Sequence, residues 1–265
     1  VGSQITVRRL GEPFKRGIVL LLAKFLAGFI PTLIAKAIWG PAGVIGVTPL
    51  MILSAVTNSN GGMYLGLMSE FGDADDMGAQ SLLGINDGPF LTLLGLGLAG
   101  IASFDAKSLL ASVGTLIVGI VLGNIDSDIR DFLKPGIMFT LPFLAFALGT
   151  GLNLTNVVKG GGTGILLGVL TVVLTALFTI PSDRLILKRP GYAGAALCTT
   201  AGNAVATPAL VAAADASLAY QVEDATAAVA AAVIVTAILC PIVTSFVAKH
   251  WGCPKFDRQK QTTEV

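Results

Sequence analysis

The sequence has little charge. Only 12% of its 265 residues are Asp, Glu, Lys or Arg, about half of the roughly 25% that a soluble domain carries. That is too little polarity to cover a water-facing surface. Histidine occurs once, as His250, at the end of the last apolar run. Three cysteines, Cys198, Cys240 and Cys253, have no paired spacing, which argues against a disulfide framework or a metal cluster. No G-x-S-x-G, H-E-x-x-H or Walker pattern is present, so intramembrane hydrolysis and ATP-driven pumping lack their residues. Aromatic residues make up 7%, the net charge is +1, and the dispersed basic residues give nucleic acid nothing to bind.

What fills the chain is apolar and small. Hydrophobic residues reach 54%, glycine numbers 32, and the mean hydropathy is +0.81. A bilayer span takes about 20 mostly apolar residues, and the runs predict eight: 17–38, 43–68, 77–103, 107–124, 135–152, 161–183, 191–213 and 222–249. Abundant glycine suits close helix packing in lipid. With the N-terminal segment in the cytoplasm, thirteen of the seventeen basic residues fall on the cytoplasmic side, the asymmetry of the positive-inside rule. Both ends of the chain, including a polar tail from Trp251, are then cytoplasmic. Lys24 lies inside a span and is expected to snorkel to its end.

An internal repeat is legible at an offset close to 150. GSQITV at 2–7, followed by a long span reaching Pro31, resembles GLNLTN at 151–156, followed by a long span reaching Pro181. TNSNGG from Thr57 is answered by TAGNAVATP from Thr200, which sets Asn60 opposite Asn203. Each polar stretch is followed by an acidic connection, 70–76 or 215–224, and a last long span. Two spans precede GLNLTN in the second copy and none precedes GSQITV in the first. The expectation is a parent of five plus five spans whose first two are missing here. Five is odd, so the copies enter the membrane with opposite polarity, as in many secondary transporters.

In such an architecture the polar stretches mark interrupted helices at the membrane midplane, whose freed backbone groups face a cavity. Gly61 and Gly62 weaken the first helix, and Pro208 removes a donor from the second. Thr57, Asn58, Asn60, Thr199, Thr200, Asn203 and Thr207 are then candidates to bind substrate hydroxyls, and half-helix N-termini suit a carboxylate. Thr and Asn in a span also serve only to bond helices together. Two matched clusters, each beside a helix breaker, favour a site. A further polar stretch, GINDGPFLT at 84–92, carries Asp87 within a span, where an ionisable group is costly and functional by default. Asp87, beside Asn86, is the candidate proton carrier. The acidic connections are expected to cap helices, Cys198 to pack, and Tyr64, Tyr192 and Tyr220 to anchor at the interface, with a cavity-facing Tyr64 as the alternative.

TNSNGGMYLGLMSEFGDADDMGA, NDGPFLTLLGLGLAGIASF, GIVLGNIDSDIRDFL, LPFLAFALGTGLNLT and TAGNAVATPALVA together resemble the bacterial 2-keto-3-deoxygluconate permease family. The resemblance covers almost the whole chain. It implies a proton symporter of the inner membrane importing 2-keto-3-deoxygluconate released by pectin breakdown. It also implies membership of the bile-acid, arsenite and riboflavin transporter superfamily. The implied fold is all-α, ten spans with a core of two crossed, discontinuous helices, here 43–68 and 191–213, and a panel. The acid of the family pattern falls at Asn86, one position from Asp87.

The expected organisation is first-repeat core helices at 1–106, second-repeat panel helices at 107–152, second-repeat core helices at 153–250 and a tail at 251–265. The expected substrate site comprises Thr57, Asn58, Asn60, Gly61, Gly62, Thr200, Asn203 and Thr207, with Asp87 and Asn86 for the proton. No metal or organic cofactor is expected, the partners are a small sugar-acid substrate and lipid, and oligomeric state is left open. Two alternatives stand: a sodium-coupled organic-anion symporter, and a passive channel or structural membrane subunit.

Overall fold

The computed structural model describes residues 3, 11–86, 88–102, 106–133, 135–136 and 161–256. These residues are helical almost throughout. Ten helices organise them: α1 (Glu12–Trp39), α2 (Pro49–Val56), α3 (Gly61–Phe71), α4 (Ala74–Leu83), α5 (Phe90–Leu98), α6 (Ala106–Ile125), α7 (Gly161–Pro181), α8 (Tyr192–Ala195), α9 (Thr207–Ala214) and α10 (Val222–Trp251). No strand forms among the described residues, only one isolated bridge between Val44 and Val47.

The helix ends follow local chemistry. Pro13 opens α1, Lys36 sits in its last turn, and Gly40 with φ 70° ends it, as fixed φ at a start and a left-handed glycine at an end dictate. The Thr48 side chain accepts from the Met51 N–H ahead of Pro49 and starts α2. Asn60 does the same for α3 through the Met63 N–H. Asp73 and Asp76 form a capping box at α4, so the acidic connection at 70–76 caps as expected. Just past the end of α5, Lys36 donates to the carbonyls of Ala99 and Gly100 at 2.6 and 2.9 Å.

Among the described residues three helices are long and apolar enough to cross a membrane: Glu12–Ala42 counted with its terminal turn, Gly161–Ile186, and Ala216–Trp251. A fourth crossing arises if Ala74–Asn86 and Phe90–Leu98, bent by 57°, count as one. The sequence-based span at 77–103 is thus broken near Gly88 and Pro89, and the span at 43–68 becomes helical only at Pro49. Ile234, Ile238, Ile242 and Phe246, each 60–63% exposed, form a stripe at four-residue spacing on α10. That is an outward apolar face fitted to lipid. Against the other face of α10 lies α7, its most extensive partner. A Cβ on Gly164 would stand 2.4 Å from the Ala231 Cβ, and one on Gly168 2.6 Å from the Val235 Cβ. Small residues bring these two backbones together.

Candidate functional site

The helical segments within 43–68 and 191–213 are both interrupted at their polar stretches, where the sequence places the breaks. The first interruption is Thr57–Asn60, between α2 and α3. Thr57 Oγ1 bonds back to the Leu53 carbonyl at 2.6 Å and meets Thr92 Oγ1 on α5 at 2.9 Å. The Asn58 amide donates to the Ser54 carbonyl at 2.8 Å and to Thr92 Oγ1 at 3.3 Å, while its oxygen accepts from the Gly88 N–H at 3.1 Å. Ser59 donates to the Asn86 side-chain oxygen at 2.9 Å. The break is therefore braced from the side by the start of α5 and the turn before it.

The second interruption runs from Ala196 through a short 3-10 turn, Gly202–Ala206, to α9. Buried carbonyls must find donors, and here side chains from other helices supply them. Thr179 Oγ1 donates to the Gly194 carbonyl at 2.7 Å. The Cys240 thiol reaches those of Ala195 and Ala196 at 3.5 Å. Lys24 takes those of Leu197 and Thr199, both at 2.9 Å, and spends its third N–H on Thr175 Oγ1 at 3.0 Å. The Thr200 N–H donates to Thr236 Oγ1 at 3.0 Å.

The two interruptions touch. The Asn60 N–H donates to Thr199 Oγ1 at 2.9 Å, and Thr200 Oγ1 donates to the Ala55 carbonyl at 3.0 Å. Ala55 is the last residue but one of α2, so an orphan carbonyl at one half-helix end is satisfied by the other break.

The expected site residues divide by exposure. Thr57, Asn58, Thr200 and Thr207 are fully or almost fully buried. The first three make the bonds just given, whereas Thr207 Oγ1 has no partner. Asn60, Gly61 and Asn203 are half-buried and Gly62 is exposed. Gly61 and Gly62 are the first residues of α3 rather than the break itself, and Pro208 lies in the first turn of α9. A Cβ on Gly61 would stand 2.3 Å from the Gln80 amide nitrogen, so a glycine there admits the Gln80 side chain. Asn86 is buried, its Nδ2 unpartnered. Asp87 lies outside the described residues.

The sequence-based reading of three residues is corrected by their packing. Lys24 does not snorkel: it is 0% exposed and its ammonium points into the protein. α1 packs against α2, α4 and α7, which turns this side chain inward. Tyr64 and Tyr192 are not interface anchors either, being 0% and 2% exposed. Both bond to Asp76, Tyr64 OH to its carbonyl at 3.2 Å and Tyr192 OH to its carboxylate at 2.8 Å. Tyr220 is exposed.

Asp76 is the centre of an ionic cluster that sequence reasoning missed. It is 0% exposed and pairs with Arg16 at 3.0 Å and Arg189 at 2.5 Å. Arg16 also meets Asp73 at 2.6 Å. Arg189 reaches the Tyr192 hydroxyl at 2.6 Å and Asp183 at 3.4 Å, and Asp183 accepts from the Gly194 N–H at 3.1 Å. The cluster thus joins α1, α4, the end of α7 and α8. Partial burial pushes the Asp73 carboxyl up, but the Asp76 N–H and the Arg16 guanidinium outweigh it and hold it below its ordinary value. At Arg189 burial opposes the charge, and Asp183 with Asp76 overcomes it, leaving the pKa raised. A paired acid and base near residues 73–76 and 183–189 was the available signal, but nothing in the sequence pairs them.

The family described as 2-keto-3-deoxygluconate permease (KdgT) matches residues 1–253. The chain is 45% identical over 249 residues to 2-keto-3-deoxygluconate permease 1 of Salmonella typhimurium, covering 94% of this chain and 78% of that protein. It is 37% identical over 271 residues to the 2-keto-3-deoxygluconate permease of an Enterobacter species, covering 100% and 82%. Identity to the permease of that name from Bacillus subtilis is 37% over 254 residues, covering 94% and 77%. No solved structure matches the chain.

Proposed function

The chain belongs to the 2-keto-3-deoxygluconate permease family, a family of membrane transporters and not of enzymes, and from that premise we propose that it imports 2-keto-3-deoxygluconate together with a proton. The observation that carries the reading is the junction of the two broken helices, through Asn60 to Thr199 and Thr200 to Ala55. Interrupted helices that meet inside an apolar bundle are where secondary transporters place substrate. Ser54 Oγ on α2, Asn86 Nδ2 and Thr207 Oγ1 on α9 are buried without partners. Buried polar groups are normally bonded, so these three are capacity for a ligand rich in hydroxyls. Asn60, Asn203 and the N-terminal amides of α3 at Gly61 and Gly62 are more open and suit the sugar acid's hydroxyls and carboxylate. Thr57, Asn58 and Thr200 hold the junction in shape around them.

The inverted repeat is part of the proposal, and the bonding supports it. Thr57 bonds Thr92 in the first copy, and Thr200 bonds Thr236 in the second. α1 packs against α4 as α7 packs against α10. On this reading 43–68 and 191–213 are the crossed discontinuous helices of a five-plus-five architecture. Residues 1–106 and 153–250 supply the core, 107–152 panel helices, and 251–265 a tail. The distribution of basic residues supports cytoplasmic ends, which would set the Asp76 cluster on the cytoplasmic side of the inner membrane.

Proton coupling is assigned to Asp87, with Asn86 beside it, and no further cofactor is required. An anion entering against an inside-negative potential loses about 2.3 kcal/mol per charge per 100 mV, and a co-transported proton cancels that cost. Uptake of labelled 2-keto-3-deoxygluconate into proteoliposomes is the test. Accumulation that needs an inward proton gradient, collapses with a protonophore and persists when choline replaces sodium is the expected result. Dependence on sodium, or flux that never exceeds equilibration, would replace the proton symporter with a sodium symporter or a channel.

A further inference from the structure

Lys24 is the one basic side chain buried completely among the described residues, and its surroundings are those of a bound cation. Its ammonium has three donors and no acceptor. Two are spent on main-chain carbonyls of the second break, Leu197 and Thr199 at 2.9 Å, and the third on Thr175 Oγ1 at 3.0 Å. The titratable side chains that bear on it are the thiols of Cys198 and Cys240, and no described carboxylate does. The charge is therefore held by oxygen dipoles alone, one pair of them from unwound backbone. Carbonyl and hydroxyl oxygens are the donor set that hard cations take, and unwound carbonyls of broken helices are where transporters coordinate their coupling ions.

We infer that Lys24 is a tethered cation occupying a monovalent-cation site in the second break, so that the site cannot take sodium. An ammonium and a metal ion cannot share three oxygens, because the volume is filled and like charges at contact repel. The resident charge ties α1 to both the second break and α7, and Thr199 in turn carries the Asn60 contact to the first break. A mobile metal ion in this place would order the same carbonyls only when bound. Lys24 orders them from within the chain, with no ion that has to arrive or leave. The inference rests on the transport reading for its meaning, but the occupancy of the site is testable without substrate.

The test is thermal unfolding of purified protein in detergent, in sodium, ammonium and choline chloride at equal ionic strength. In the parent protein the melting temperature is expected to be the same in all three salts. In Lys24→Ala, sodium or ammonium should raise it over choline, by roughly 3–5 °C at about ten times the dissociation constant. Lys24→Met, which keeps volume and loses charge, should be insensitive because its side chain still fills the site. In proteoliposomes, uptake by Lys24→Ala should gain a sodium or ammonium stimulation absent from the parent. A parent stabilised by sodium over choline overturns the inference whatever the variants do. So does a folded Lys24→Ala whose melting is identical in the three salts. Failure of uptake with a positive salt response would instead count against the substrate reading alone.

Discussion

Tyr192 and Asp76 stand 116 residues apart in the chain and share a hydrogen bond of 2.8 Å, from the phenolic hydroxyl to the carboxylate. The same hydroxyl accepts from Arg189, and the same carboxylate is paired with Arg16 and Arg189. Asp76 is thus shared between two guanidinium groups and a phenol, all inside the protein. Removing it takes away the anion the two cations share and leaves Arg16 to Asp73 and Arg189 to Asp183. Asp76→Ala is expected to destabilise by roughly 3–5 kcal/mol, the cost of breaking a buried ion pair. Tyr192→Phe should cost about 1 kcal/mol, a single bond. Melting in detergent ranks them, and equal losses would show that the cluster does not depend on its carboxylate.

Acid should loosen the same end of the protein. Asp73 is held below its ordinary value, so its contribution is present above that value and lost as pH falls through the lower, folded-state one. Arg189, raised, stays charged throughout. A melting profile between neutral pH and about pH 3 should fall on the acid side. Asp73→Asn should flatten part of that fall. A profile identical for the two proteins would remove Asp73 from the account.

At the helix pair α7–α10 the prediction is steric. Gly168→Val places a Cβ 2.6 Å from the Val235 Cβ, and the helices must separate to admit it. A loss of roughly 1–3 kcal/mol is expected, the usual cost of overpacking. Gly162→Ala, which meets nothing within 4 Å, is the control and should leave the melting temperature where it is.

Two substitutions separate binding from folding at the junction. Ser54 Oγ is buried without a partner, so Ser54→Ala removes no bond and should leave stability within about 0.5 kcal/mol. If its hydroxyl is kept for substrate, the KM for uptake should rise several-fold, about 1 kcal/mol. Asn203→Ala, at a half-buried position of the second break, should likewise raise the KM. A fall in melting temperature with unchanged KM would make either residue a structural one.

The polar stretches at 57–60 and 199–207 were legible because Thr and Asn stand out in an apolar run, and the breaks occur there. Legibility ended where a residue's role depends on what is distant in the chain. A lone lysine in a span reads as snorkelling, and only the packing of α1 against α7 and the second break shows Lys24 turned inward. Asp76, Arg189 and Tyr192 read as a cap, a topogenic charge and an interface anchor, since each local context is complete without the others. Apolar content on both sides of Gly88 and Pro89 marks one span at 77–103, but not the angle of 57° at which its two halves meet.

Cys198, Cys240 and Cys253 are 0%, 0% and 1% exposed. Water-soluble maleimides react with thiolates they can reach, so the native chain is already a silent background for thiol chemistry. Single cysteines at Asn60, Gly62 or Gly202 can be introduced without first replacing Cys240, whose thiol serves the Ala195 and Ala196 carbonyls. The rate at which each is labelled from either side of the membrane, with and without sugar acid, then records which face of the junction is open.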